Sequence, residues 1–189
     1  GDIIALLAER FNPHGDFSKI SRLGRIGQSG ETYFINRDGR LLTESRFYSD
    51  LLSAGLINSG EQSILSVQVR DPGFNLLSQW SENIKPIQDR PYTLMAASAI
   101  DGNTDFNLEG YRDYRGVKVI GEWAWDDVLD MGMTTEIDLS EALAPYFDAR
   151  YIIIITLTIT VVVSILFTLV TMLLVRRANQ SLLAAHDLL

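Results

Sequence analysis

Two side chains that sit two residues apart have the chemistry to bind an ammonium group. Tyr111 and Asp113 lie in a strand-like segment, GYRDYRGVKVIGEWAW (residues 110–125), and residues i and i+2 of a strand share one face. Asp113 can attract a cation by its charge, and Tyr111 can do so through its ring. The alternative is structural, with Asp113 supporting a turn and Tyr111 packed in the core.

Three further polar positions can contact a small molecule. Arg46 lies near the end of the first predicted hairpin and can clamp a carboxylate with two parallel hydrogen bonds. Asp101 and Asp105 lie in a predicted loop and can contact a ligand or a divalent cation, although two loop carboxylates alone are a weak metal signal. The alternative for Arg46 is an exposed arginine at a strand end.

Aromatic residues on the predicted strands can line a pocket. Trp123 and Trp125 alternate in the second half of the 110–125 segment, and Tyr33 lies on an earlier strand. Alternating aromatics in a strand more often form the core than a ligand site, and both interpretations stay open from sequence alone.

The sequence shows no catalytic or metal-binding pattern. The chain has no Cys, and its two histidines, His14 and His186, are far apart in predicted loop and tail segments, so no zinc site or catalytic triad is expected. Gly27 to Gly30 precede a strand and not a helix, unlike a phosphate-binding loop. We therefore predict no catalytic residues, no metal and no cofactor. The net charge of −8 disfavours nucleic acid as a partner.

Turn signals and alternation predict the elements that position these residues. Asp38-Gly39 and Arg115-Gly116 predict two hairpins, and Asp101-Gly102-Asn103 predicts a loop tip. Strands are predicted at 31–36, 41–47, 64–69, on both arms of 110–125 and at 131–137. Helices are predicted at 2–11, 48–58 and 93–100, and one begins after Asp138, with Glu141 completing a capping box and Pro145 introducing a kink.

The segment from Tyr151 to Val175 contains 25 residues without charge, Pro or Gly. A helix of this length spans about 37 Å, more than the hydrocarbon core of a bilayer at about 30 Å. Arg176 and Arg177 follow it and predict a cytoplasmic tail.

Hydroxyl side chains recur every four residues along this span. The stripe consists of Thr156, Thr160, Ser164 and Thr168. It can pair helices in a homodimer, or each hydroxyl can bond its own backbone four residues back.

Three regions follow from this pattern: an extracytoplasmic domain at 1–150, a transmembrane helix at 151–175 and the start of a cytoplasmic helix at 176–189. Because an exported N-terminal domain needs a signal or an earlier span, we expect an upstream segment before Gly1.

The two hairpin strings and MGMTTEID (residues 131–138) resemble the extracellular Cache domains of bacterial transmembrane receptors. GQSGETYFINRDGRLLTESRF (residues 27–47) is similar to the family's first hairpin, and residues 110–125 resemble its late hairpin. The resemblance covers about residues 25 to 145. It implies an α+β, PAS-like fold, with a central antiparallel sheet and with helices and loops on one face, and a pocket between that face and the long loop.

The resemblance further implies a sensor of a polar small molecule in the bacterial inner membrane, with the sensor domain periplasmic or extracellular and a kinase, cyclase or chemoreceptor output. Arg46, Tyr111, Asp113, Trp123, Tyr33 and Asp101 are the candidate ligand-binding residues. The alternative is a membrane-anchored structural or dimerisation module without a ligand.

Overall fold

The computed structural model describes residues 16–78 and 85–186. It is an α+β protein with one four-stranded antiparallel sheet and a long apolar C-terminal helix. The chain separates into two compact units, Gly1–Ala142 and Leu143–Leu189. The predicted helix at 2–11 lies outside the described residues.

The sheet has the strand order β1-β4-β3-β2, and every neighbouring pair is antiparallel. The strands are β1 (Glu31–Ile35), β2 (Asp105–Arg112), β3 (Lys118–Asp126) and β4 (Met131–Asp138). The hairpin predicted around Arg115-Gly116 is confirmed, as is the strand predicted after it. Gly116 has φ +78°, and a Cβ there would come within 1.8 Å of the Phe74 carbonyl oxygen, so the turn requires glycine.

The helices that the described part of the first unit contains are short. They are α1 (Asp16–Leu23), α2 (Tyr48–Ser53) and α3 (Leu94–Ile100), with a 3-10 turn at Ile87–Asp89. The predicted α3 is confirmed, and the Thr93 hydroxyl accepts from the Ala96 amide at its start. Helix α1 has no counterpart among the helices predicted from sequence.

The predicted first hairpin is only half correct. The Asp38-Gly39 turn forms, and Asn36 and Leu42 donate to Arg40 and Phe34, but no second strand follows. The Thr43 hydroxyl accepts from the Phe34 amide and so replaces a ladder bond with a side chain. Strand β1 pairs with β4 instead.

The strand predicted at 64–69 is wrong. Leu65 has φ +60°, which an extended strand does not allow, and the isolated bridge that the segment forms joins Gln68 to Arg40. Val67 and Val69 are nevertheless buried in the core, together with Leu41 and Met95.

Helix α4 runs from Leu139 to His186 and continues through Pro145. Among the described residues, one helical stretch, Leu139–Gln180, is long and apolar enough to cross a membrane. The hydroxyls of Thr160, Ser164 and Thr168 each donate to the carbonyl four residues back, at 2.8 Å. These hydroxyls therefore bond the backbone of their own helix in the single chain, which is the second of the two alternatives given for the stripe.

Candidate functional site

A buried carboxyl group, Glu136, lies at the centre of the sheet face that carries the core. It is 4 % exposed on β4 and accepts hydrogen bonds from the hydroxyls of Tyr33 at 2.8 Å and Tyr111 at 2.6 Å. Gly121 faces it across the strand pair, and a Cβ there would come within 2.8 Å of the Tyr111 hydroxyl. The missing side chain gives the tyrosine room to reach Glu136.

The environment of Glu136 favours its neutral form. Burial raises the pKa of Glu136 to about 8, the negative charges of Asp113 and Glu31 act in the same direction, and the two tyrosine hydroxyls oppose them. The group therefore carries a proton through much of the neutral range. Burial and the neighbouring carboxyl raise the pKa of the Tyr33 hydroxyl, so that it remains a donor.

A second buried carboxyl group, Glu31, lies opposite Glu136 on β1. It accepts from the Tyr114 hydroxyl at 2.6 Å, from the Ser45 hydroxyl at 3.0 Å and from the Arg46 amide. Burial raises the pKa of Glu31 as well. The sheet thus carries two fully hydrogen-bonded carboxyl groups within its core, an arrangement that rigidifies the core only while every member is satisfied.

Arg115 is the charged centre of the site. Its side chain is 3 % exposed and bonds Asp113 at 2.7 Å, Asp138 at 2.9 Å and Asp50 at 3.4 Å, while its guanidinium lies 3.5 Å from the centre of the Phe47 ring. These five residues form the Arg115 network. It joins the β2–β3 turn, α2 and the end of β4 through one cation.

Asp113 stays ionised in this network. Burial raises the pKa of Asp113 to about 6, while the Arg115 guanidinium and the amides of Arg115 and Val117 act in the opposite direction. The carboxylate is therefore charged at neutral pH and compensates Arg115 directly.

The Arg115 network ends at the first turn of α4. Asp138 directly precedes the helix, and its amide donates to the Ser29 hydroxyl at 3.0 Å. Glu141, in the first turn, accepts from the amides of Gln28 and Ser29, both at 2.7 Å. The predicted capping box is therefore wrong, because Glu141 bonds this loop instead of returning to the Asp138 amide.

The structure brings some of the predicted site residues together and separates others. Tyr33, Tyr111 and Trp123 meet around Glu136, with the Tyr111 and Trp123 rings in an edge contact at 5.8 Å, and Asp113 lies beside them on Arg115. Asp101 is exposed and directly follows the last residue of α3.

Arg46 serves the loop that precedes β1. Its guanidinium donates to the carbonyls of Gly27 at 2.8 Å and Gly30 at 2.6 Å, so it positions the loop that binds Glu141. Ligand contact by any of the six predicted residues stays a prediction, but the polar groups of Arg46, Tyr33, Tyr111 and Asp113 already have protein partners.

Sequence reasoning missed Glu31, Glu136 and Arg115. A signal was present for the two glutamates, since each falls two residues from a core position on its strand, beside Tyr33 and Thr134. For Arg115, its place in a tight turn indicates an exposed side chain, and its burial depends on partners from α2 and β4.

Comparison of the chain with protein-family models, curated proteins and solved structures gave no significant match.

Proposed function

We propose that residues 1–150 form the extracytoplasmic input domain of a membrane-bound signalling receptor, of the Cache or PAS-like type, which senses a polar small molecule. One observation carries this proposal. The Arg115 network, buried within the domain, ends through Asp138 at the first turn of a helix that is long enough to cross a membrane. A change of packing around Arg115 can therefore move the start of that helix, because Asp138 bonds Arg115 and is covalently joined to the helix.

Three features of the chain support this assignment. The four-stranded antiparallel sheet with short helices is compatible with a PAS-like fold, and the hairpin strings resemble those of Cache domains. Arg176 and Arg177 favour a cytoplasmic tail in a bacterial inner membrane. Any catalytic activity then belongs to an output domain after α4, and the hydroxyl stripe provides a surface of small residues for pairing two copies.

A membrane-anchored interaction module is the second candidate, and the apolar second face of the sheet favours it. A cavity of about 330 Å³ on this face is lined by Ile120, Ile137 and the side chains of Phe106 and Leu108, which are 62 % and 65 % exposed. Exposed apolar patches of this kind often bind other proteins.

A thermal-stability screen of the full chain in detergent micelles separates the two functions. If the domain is a sensor, at least one polar small molecule should raise its free energy of unfolding, by about 2.7 kcal/mol at 100 times the dissociation constant. If the domain is an interaction module, no such compound is expected, and the melting temperature should rise with protein concentration instead. Phe106→Asp should abolish that concentration dependence, with the exposed Leu77→Asp as the control outside the sheet.

A further inference from the structure

A second cavity, of about 380 Å³, lies beside the loop at residues 71–74. Its lining includes the apolar residues Pro72, Phe74 and Pro91, the cations Lys85, Arg90 and Arg112, and one carboxylate, Asp71. Its volume falls within the range of about 300 to 1,000 Å³ that is typical of small-molecule sites. None of the six residues predicted from sequence lines it.

Arg90 is the unusual member of this cavity. It is 9 % exposed, and its buried Nη1 donates to none of the described residues. A buried donor without an acceptor costs free energy that a ligand can recover. Burial lowers the pKa of the Arg90 guanidinium, because loss of water disfavours its charged form.

The backbone of Arg90 and its side-chain Nε both have protein partners. Its Nε donates to the Lys85 carbonyl at 2.9 Å, and its own carbonyl accepts from Arg70 at 2.5 Å. Arg70 in turn lies 4.3 Å from the centre of the Tyr92 ring. The guanidinium is therefore fixed before any ligand arrives, which reduces the entropy lost on binding.

The charge of the cavity is positive in an acidic chain. Arg112 is compensated by Asp71 through two hydrogen bonds of 2.8 and 2.9 Å. Within the described residues no ion pair compensates Lys85 or Arg90, so two positive charges remain at the cavity, although the whole chain carries −8. A local positive field of this kind attracts anions.

We propose that this cavity binds a small organic carboxylate, the class of ligand that the input domain senses. The Arg90 guanidinium donates to the carboxylate, Lys85 adds a second positive charge, and Pro72, Phe74 and Pro91 contact the apolar body of the ligand. The planar fork of arginine matches a carboxylate, and the apolar walls favour an organic anion over an inorganic one. This inference rests on the proposed sensor function.

The loop that lines the cavity, together with Leu76 just after it, contacts the β2–β3 turn that carries Arg115. The Leu76 amide donates to the Arg115 carbonyl at 3.0 Å, and the Phe74 carbonyl lies against Gly116 in the β2–β3 turn. A ligand that orders residues 71–76 therefore acts directly on the turn that positions Arg115.

Calorimetric titration of the full chain in detergent micelles with sodium benzoate tests the site, with sodium chloride at equal ionic strength as the reference. Arg90→Gln should weaken benzoate binding about tenfold or more, because the charged hydrogen bonds are lost. Lys85→Gln should weaken it about threefold. Arg37→Gln removes a positive charge from an exposed pair with Asp130 and should leave binding unchanged.

Benzoate binding that is equally strong in Arg90→Gln, or no benzoate binding at all, would overturn the proposal. Binding of inorganic phosphate that depends on Arg90, without benzoate binding, would overturn the carboxylate assignment. If Arg90→Gln does not fold, the exposed Lys85→Gln variant serves as the test. Benzoate binding that is unchanged in Lys85→Gln would then contradict the proposed carboxylate site.

The sensor function is tested by different results. If benzoate binds through Arg90, but neither benzoate nor any other stabilising compound changes the conformation of α4, the carboxylate site is supported and the sensor function is contradicted. If another compound changes the conformation of α4 while benzoate does not bind, the sensor function is supported and the carboxylate site is contradicted.

Discussion

Replacing Arg115 with methionine should lower the free energy of unfolding by about 3 to 5 kcal/mol, because it leaves buried charge without a partner. Asp113 is 1 % exposed and would lose its closest cation, while Asp138 and Asp50 would lose theirs as well. Guanidinium chloride unfolding of the full chain in detergent micelles, followed by tryptophan fluorescence, measures the effect.

The exposed pair of Arg37 and Asp130 provides the matched control. Its side chains are 54 % and 61 % exposed, so Arg37→Met should change the stability by only about 0 to 1 kcal/mol. Asp113→Asn in the Arg115→Met background should restore part of the loss, since it removes the uncompensated carboxylate. Equal effects of Arg115→Met and Arg37→Met would contradict the role of the Arg115 network.

The second large effect concerns pH. The pKa of Glu136 is about 8 in the folded chain against an ordinary value of 4.5, so between these values only the folded state holds the proton. The free energy of unfolding therefore falls as pH rises through this window. We expect a loss of about 4 kcal/mol between pH 5 and pH 8.5, with the raised pKa values of Asp113 and Glu31 adding to it at the acidic end.

Glu136→Gln should remove most of this pH dependence and stabilise the chain at pH 8.5. The glutamine amide keeps the shape of the protonated carboxyl group, accepting from one of Tyr33 and Tyr111 and donating to the other. Glu122→Gln, at an exposed position on β3, is the control and should keep the wild-type slope. A stability that rises from pH 5 to pH 8.5, or an unaltered slope in Glu136→Gln, would contradict the assignment of the proton to Glu136.

Local sequence patterns predicted the elements whose formation depends on neighbouring residues. The Arg115-Gly116 and Asp38-Gly39 turns, α3, and the apolar run in α4 each follow from a few adjacent residues. The partner of β1 could not be predicted this way, because its ladder joins strands about 100 residues apart and a hydroxyl from Thr43 ends the local pairing.

The polar groups of the site depend on such distant contacts. Tyr33 and Glu136 are separated by 103 residues, and Arg115 is buried only because α2 and β4 supply Asp50 and Asp138. A glutamate in a strand is normally expected at the surface. The cavity at Arg90 was missed for the same reason, since its walls come from three separate segments of the chain.

Oxidative crosslinking of single cysteines in α4 tests the sensor function most directly. The chain has no Cys, so cysteine at 156, 160, 164 or 168, and at 158 or 162 on the other side, can each be introduced alone into membrane-embedded full chain. We expect higher crosslinking yields at the first four positions, and yields that change when a compound that stabilises the domain is added. In Asp138→Asn the compound should still bind, but the crosslinking yield should no longer change. Equal yields at all six positions, unaltered by the bound compound, would show that α4 is an anchor without a part in signalling.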